Sequence, residues 1–496
     1  MDAWLGLVNG LGVIMTPANL YYCFVGSFVG TLIGVLPGIG PLAALALLMP
    51  MTFTLTPVAS VAMLAAMFYG AMYGGSTTSI LVNIPGEAAS VVTCLDGHQM
   101  AKQGRAGAAL GMAAIGSFIA GTLSLVAMTF FSPVLTSAAL SFGPPENFAL
   151  LLLGLVCTVL MIQGSALKGI VMIGLGLLFA TVGTDLVDGR QRFTFNIVNL
   201  SAGLDLVAVV IGLFGVSEIL MNVESLVKNE VVSARIRNLL PTVADWKASW
   251  KPIIRGTGLG FLLGVVPGGG PITASFMSYA IERRLAKEPE RFGKGAIEGV
   301  AGPESANNAA VASSMIPLMS LGIPGNAVTA LLMAALIIQG VQPGPMMMAQ
   351  RPDVFWGVIA SMYVGNVFLL LLNLPLIGLW VQLLRVPYAV LFPIILLLAL
   401  VGTYSANKNF FDLWVMISFG GLGYVLRKFE YEMGPLLLSF VLAPLVEQSL
   451  RQSMVMSSGG AAIFLQRPMT VTLLLICLVL VGLIVRRFFQ SKGDTT

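Results

Sequence analysis

From Ala3 to Gly86 the chain carries no Asp, Glu, Lys, Arg or His. A stretch of that length without charge cannot hold a water-facing surface, so lipid or protein has to enclose it. The full chain of 496 residues agrees, with 57% hydrophobic and 10% charged. A soluble domain carries about 25% charged residues. These observations predict an all-α polytopic membrane protein with about 10–13 membrane segments, since a helix satisfies its own backbone in lipid.

Within that apolar background one phrase occurs twice. GVLPGIGP runs from Gly34 to Pro41, and GVVPGGGP returns 230 positions later, from Gly264 to Pro271. Ile84-Pro85-Gly86 likewise returns as Ile323-Pro324-Gly325, 239 positions on. Two landmarks in one order at nearly one spacing point to duplicated halves. Duplicated halves with hydrophobic segments broken by Gly and Pro at matching places are the mark of a secondary transporter, with its site at the breaks.

Apolar length places the segments. The first repeat is assigned to residues 1–227, with broken helices over 19–95 and scaffold spans over 106–223. Within it, a broken unit runs from Asn19 to Leu55, a span follows from Val58 to about Tyr73, and Asp96 to Arg105 reads as a loop. Four spans then cover about 106–132, 146–163, 165–184 and 203–223. Residues 228–255 read as a charged cytoplasmic linker. The second repeat takes 256–496, with broken helices over 256–340 and scaffold spans over 354–486.

Loop charge gives the orientation. Lys102 with Arg105, Lys228 to Arg255, Arg283 to Lys294, Arg427-Lys428 and Arg486-Arg487 are the basic clusters, and positive loops stay cytoplasmic. Gly340 to Asp353 balances one Arg against one Asp, yet occupies the place that basic Gly97 to Arg105 holds in the first half. Equivalent loops of opposite charge character predict inverted repeats, N-terminus outside and C-terminus inside.

The candidate chemistry lies beside the breaks. Proline and glycine interrupt a helix and leave backbone amides and carbonyls unpaired, which survives only where protein or a polar cavity surrounds them. Candidate substrate contacts are therefore Gly38, Gly40 and Gly86 in the first half, with Gly268, Gly269, Gly270 and Gly325 in the second. Ser76, Thr77, Thr78 and Ser79 form a run of four hydroxyls, and Asn83 lies shortly before Pro85. Ser305, Asn307 and Asn308 are expected to occupy a comparable place before Pro324, and Asn326 follows that turn. Hydroxyls and amides suit both carboxylate oxygens and a small cation. Glu87 and Glu304 are the candidates for cation coupling, because an ionisable group in an apolar span is costly and functional by default. No Lys or Arg falls within either broken unit, Asn19 to Leu55 or about 256–281, so helix N-termini and free amides are the expected anion partners.

Other classes find little support. His98 is the sole histidine and is placed in a loop, and there is no haem ligand set and no GxSxG elbow. GVVPGGGP lacks the Lys-Ser/Thr of a nucleotide loop. The chain is thus expected not to be an enzyme, to need no cofactor or metal beyond a coupling ion, and not to bind nucleic acid. Cys23, Cys94, Cys157 and Cys477 are scattered in apolar context and read as packing residues. No basic n-region of a cleavable signal peptide is evident. GTDLVDGRQR, from Gly183 to Arg192, reads as a solvated connection or an outer docking surface.

Taken together, the GVLPGIGP and GVVPGGGP pair, GGSTTSILVNIPGE, PESANNAA and GIPGN resemble the large membrane subunit of the tripartite tricarboxylate transporters. The resemblance extends from about Asn19 to the last span and includes GTDLVDGRQRFTF. It implies a bacterial inner-membrane protein working with a small membrane subunit and a periplasmic solute-binding protein. It further implies import of carboxylates such as citrate, coupled to Na+ or H+. A self-sufficient carboxylate carrier or channel without a binding protein would share the repeats and the breaks.

Overall fold

The computed structural model describes residues 3–36, 40–162, 165–185, 188–224, 239–384 and 388–493. In the first half the helices are α1 (Ala3–Ile14), α2 (Pro17–Val35), α3 (Gly40–Leu48), α4 (Pro57–Val82), α5 (Val91–Lys102) and α6 (Ala106–Ala139). Next come α7 (Pro144–Met161) and α8 (Ala166–Ala180), followed by strands β1 (Gly183–Thr184) and β2 (Gln191–Arg192), then α9 (Leu206–Val210) and α10 (Ser217–Glu224). A π-helical turn over Ile211–Val216 joins α9 to α10.

The second half opens with α11 (Val243–Val265), α12 (Gly270–Leu285), α13 (Glu298–Leu321), α14 (Ala327–Ile338) and α15 (Met347–Gln350). It continues through α16 (Pro352–Asn373), α17 (Ile377–Leu383), α18 (Tyr388–Asn407), α19 (Phe410–Lys428), α20 (Met433–Met456), α21 (Ile463–Gln466) and α22 (Pro468–Gly493). Eight of the described helical segments are long and apolar enough to cross a membrane, with six shorter apolar ones beside them. The two-stranded β1–β2 hairpin is antiparallel, pairing Gly183 with Arg192.

The duplication read from the sequence reappears as packing. A Cβ on Gly26, Gly30 or Gly34 would sit 2.1, 2.3 and 2.2 Å from the carbonyl oxygens of Met63, Met67 and Ala71. On Gly256, Gly260 or Gly264 it would sit 2.3, 2.2 and 2.4 Å from those of Gly302, Ala306 and Ala310. The glycines of α2 and α11 differ by 230 positions and their partners in α4 and α13 by 239, the two offsets of the motifs. Small residues at every fourth position let two helix backbones approach until Cα–H groups meet carbonyls. One seam has been built twice.

These seams set direction. Gly26, Gly30 and Gly34 meet Met63, Met67 and Ala71 in ascending order, so α2 and α4 run the same way. The intervening chain, α3 and the turn Met49–Thr52, therefore returns towards the start of α4. The order of the second seam makes α11, α12 and α13 repeat the device.

The halves also interlock. α6 packs on α13 and α16 packs on α4, while α5 touches α13 and α14 touches α4. Between them α4 is buried along nearly its entire length. Outside this centre, α7, α8, α20 and α22 pack together, and α18 and α19 pack with the π-helical segment. The β1–β2 hairpin is held to α20 by Arg192, which bonds Glu447 at 3.1 Å, and by Arg451, which bonds Asp185 at 2.6 Å.

Two local readings change. Asp96 to Lys102, expected as a loop, belongs to α5, with Asp96 and His98 buried. The helical stripe Ser90, Thr93, Asp96/Gly97 and Met100 is buried at three- and four-residue spacing, which gives the segment a face to pack. The stretch read as linker overlaps α11, which is helical from Val243 and capped reciprocally by Thr242 and Asp245. Residues 225–238 of that linker lie outside the described residues.

Candidate functional site

In each half the end of the first broken helix, α2 or α11, lies against the Ile-Pro-Gly turn. In the first half, a Cβ on Gly86 would lie 2.0 Å from the Gly34 carbonyl oxygen. The Thr78 hydroxyl donates to the Val35 carbonyl at 2.7 Å, supplying a partner to an oxygen that the end of α2 leaves free. Gly40 starts α3 at φ +60, while Gly38 lies outside the described residues. In the second half the Gly268 amide donates to the Gly325 carbonyl at 2.7 Å, and Gly269 donates to Val266 at 2.9 Å. Gly268 and Gly270 hold φ of +83 and +47, a region where a side chain would be strained. Gly270 begins α12 beside Asn326, which caps α14 reciprocally with Thr329 and whose Nδ2 has no partner among the described residues. Two helix N-termini and a free amide donor thus converge at this tip.

A separate cluster forms where α4 and α5 meet α13. The Ser76 hydroxyl donates to Glu304 Oε2 at 2.6 Å, and the Thr93 hydroxyl donates to the other carboxylate oxygen. Glu304 is 1% exposed. Glu87, 6% exposed, accepts from the Ala89 amide at 2.6 Å and from Asn307 Nδ2 at 3.3 Å. Ser79 donates to Ser90, which in turn donates to the Glu87 carbonyl at 2.8 Å. Asn308 Nδ2 reaches Ser117 at 2.7 Å, and Ser305 donates to the Gly116 carbonyl at 3.3 Å. Among the described residues every donor to the two carboxylates is neutral, and neither carboxylate has an ion-pair partner. Among the described residues nothing donates to the buried Oδ1 atoms of Asn307 and Asn308. Thr77 lines a small cavity with Tyr73, Ser76, Ser117 and Asn373, on the α6 and α16 side of α4.

Beside Gly40, Gly86 and Thr78 at the first-half break and Thr77 at its cavity, most of the expected residues fall into two groups. Ser76, Ser79, Glu87, Glu304 and Asn307 join the polar cluster, with Asn308 and Ser305 on its α6 side. Gly268, Gly269, Gly270, Gly325 and Asn326 form the second-half tip. Asn83 stands apart, exposed at the C-cap of α4 with φ +60, a conformation Asn adopts more readily than most. The hydroxyl and amide runs are also not equivalent in position. Counting 239 from Ser76 gives Met315, and counting back from Glu304 gives Ala65. Thr93, Ser90 and Ser117 are site neighbours that single-residue reading missed. Only the helical spacing of Ser90, Thr93 and Gly97 could have flagged the first two.

The model of the Tripartite tricarboxylate transporter TctA family matches residues 20–438. The chain belongs to this family. It is also 50% identical over 494 residues to an uncharacterized 52.8 kDa protein of the TAR-I ttuC' 3' region of Agrobacterium vitis, covering 100% of this chain and 98% of the relative. An uncharacterized protein of the TAR-II ttuC' 3' region of that organism is 53% identical over 235 residues, covering 47% of this chain and 97% of the relative. No solved structure matches. As a TctA-family member the chain is the membrane subunit of a tripartite transporter, a system with partner subunits rather than an enzyme.

Proposed function

We propose that this subunit imports di- or tricarboxylates across the bacterial inner membrane, coupled to a Na+ or H+ gradient. A periplasmic solute-binding protein delivers the substrate, and a small membrane subunit completes the assembly. The observation that carries the reading is the pair of buried carboxylates, Glu87 and Glu304, with only neutral partners at the contact between the repeats. An uncompensated buried charge costs several kcal/mol, so a proton or a metal cation has to accompany it. Two carboxylates, the Ser76 and Thr93 hydroxyls and the free Oδ1 atoms of Asn307 and Asn308 offer the oxygen-rich surroundings that a small hard cation favours.

The anion goes elsewhere in this scheme. The second-half tip presents the N-termini of α12 and α14 and the unpaired Asn326 Nδ2, which favour negative charge. Gly40 and Gly86 in the first half supply the matching backbone. Donors for the substrate and acceptors for the ion thus lie on separate parts of one duplicated core.

The repeats are read as inverted, with re-entrant hairpins. α6 and α13 run alongside each other in one direction, since Ser117 meets Asn308 and Ser132 meets Ser320. α4 and α16 do the same, with Val58 against Gly357 and Ala66 against Gly365. Between α6 and α16 the order reverses, as Asn366 reaches Phe118 and Thr122 while Tyr363 reaches Thr129. Equivalent helices in the two halves would then oppose one another, which supports an inversion.

The test compares uptake of a labelled carboxylate by vesicles holding the three subunits with uptake after the binding protein is left out. Uptake only with all three is expected. Equal uptake by this chain alone would replace the scheme with a self-sufficient carrier.

A further inference from the structure

Asp96 takes no part in the scheme above, yet it is fully buried and shared between the repeats. Its Oδ1 accepts three backbone N–H groups, from Gly293 at 2.9 Å, Gly295 at 2.8 Å and Ala296 at 2.7 Å. Its Oδ2 accepts the Tyr279 hydroxyl at 2.9 Å. Gly293 and Gly295 sit at φ +81 and +102, and this left-handed backbone turns the amides towards a single oxygen. The carboxylate belongs to the first half, and the turn that receives it leads directly into α13 of the second.

Three residues before Asp96 on the same helix stands Thr93, whose hydroxyl reaches Glu304 on α13. Residues three apart share a helix face, so both contacts are made by one side of α5. The helix is braced twice more. His98 Nδ1 lies 3.0 Å from the Ile80 carbonyl on α4, and Gln103 Nε2 donates to the Lys294 carbonyl at 2.8 Å. Gly299 leaves no slack at the joint, since a Cβ there would come within 2.4 Å of Asp96 Oδ2.

We infer that Asp96 is a positioning residue: it clamps α5 to the entry of α13 throughout transport, and so holds the Thr93 hydroxyl on Glu304. This rests on the reading of Glu304 as an ion ligand. Both carboxylate oxygens of Asp96 are occupied by protein donors, and among the described residues it has no ion-pair partner. Opening the joint would strip the buried Asp96 carboxylate of four hydrogen bonds at once, one of them from the buried Ala296 amide. The Gly293–Ala296 turn and α5 therefore belong to one body, and neither ion nor substrate leaves between them.

The test uses the complete assembly in vesicles, with the four native cysteines of this chain replaced. Gln103→Cys and Lys294→Cys are joined by a short cleavable bis-thiol reagent. Uptake should stay within about twofold of the unlinked protein, whereas a loss that cleavage reverses would overturn the permanent clamp. Asp96→Asn should raise the Na+ concentration for half-maximal uptake about fivefold, and linking the Gln103→Cys and Lys294→Cys pair in that background should restore it. Tyr279→Phe removes a single donor and should shift it about twofold, which serves if Asp96→Asn fails to accumulate. An unshifted Asp96→Asn beside a shifted Glu304→Gln would refute the inference alone. Glu304→Gln with unchanged cation dependence would refute the ion reading and this inference with it.

Discussion

Ser76 on α4 donates a 2.6 Å hydrogen bond to the Glu304 carboxylate on α13, tying the first repeat to the second at a buried charge. The two residues are not equivalent by the repeat, and each stands where its counterpart is apolar. Duplication supplied the frame here, and divergence supplied the polar contact.

Removing the donor should therefore act on the ion. Ser76→Ala deletes one hydrogen bond to a charged group, a loss of about 1.5–3 kcal/mol. Because the hydroxyl oxygen is lost as a ligand along with the donor, the Na+ concentration for half-maximal uptake is expected to rise about tenfold or more, at unchanged accumulation of the protein. An unchanged cation dependence would show that Ser76 serves packing alone.

The glycine seams predict a different failure. Gly260→Val forces a branched side chain onto the Ala306 carbonyl, so the protein should fail to accumulate in the membrane. Gly258, two residues away, has open space around it, and Gly258→Val should be tolerated. Gly30→Val should reproduce the Gly260 defect, as its equivalent in the first half. Membrane yield and thermal melting of the detergent-solubilised protein report all three.

Asn308 and Asn83 separate chemistry from backbone. Asn308 is buried and bonds Ser117 and the Glu304 carbonyl, so Asn308→Leu should abolish uptake in a protein that still inserts. Asn83 holds a left-handed cap on the exposed end of α4, which glycine adopts freely. Asn83→Gly should keep most uptake, while Asn83→Leu should lower the yield by straining the turn. Loss of uptake in Asn83→Gly with normal yield would return its side chain to the substrate site.

Inversion has a direct topological test. Gln103 and Gln350 are both exposed, and they sit at equivalent places in the two halves. Single cysteines there should react with an impermeant thiol reagent from opposite sides of the membrane. Labelling from one side would leave a duplication without inversion.

Much of the frame was legible because membrane burial and backbone breaks leave strong marks. GVxPGxGP and Ile-Pro-Gly announced the offsets that the glycine seams then realise in space. α5 was hidden because Asp96, His98 and Lys102 in an apolar chain imitate a loop. The burial of Asp96 depends on donors from Gly293 to Ala296, almost two hundred residues away. For the same reason Thr93 and Ser117 carried no signal, since a lone hydroxyl acquires a role only from what faces it. Counting polar runs before each proline also gave a false parallel: Ser76 lies late in α4 and Glu304 early in α13.

The most direct measurement of the central claim is accumulation of a labelled carboxylate in vesicles containing all three subunits. A di- or trianion entering a negative interior works against about 2.3 kcal/mol per charge per 100 mV, which co-transported cations can cancel. An inward Na+ or H+ gradient should drive accumulation well above the level reached without one, and Glu304→Gln should remove that difference. Equally strong accumulation with no gradient of either ion would contradict the coupling at the core of the account.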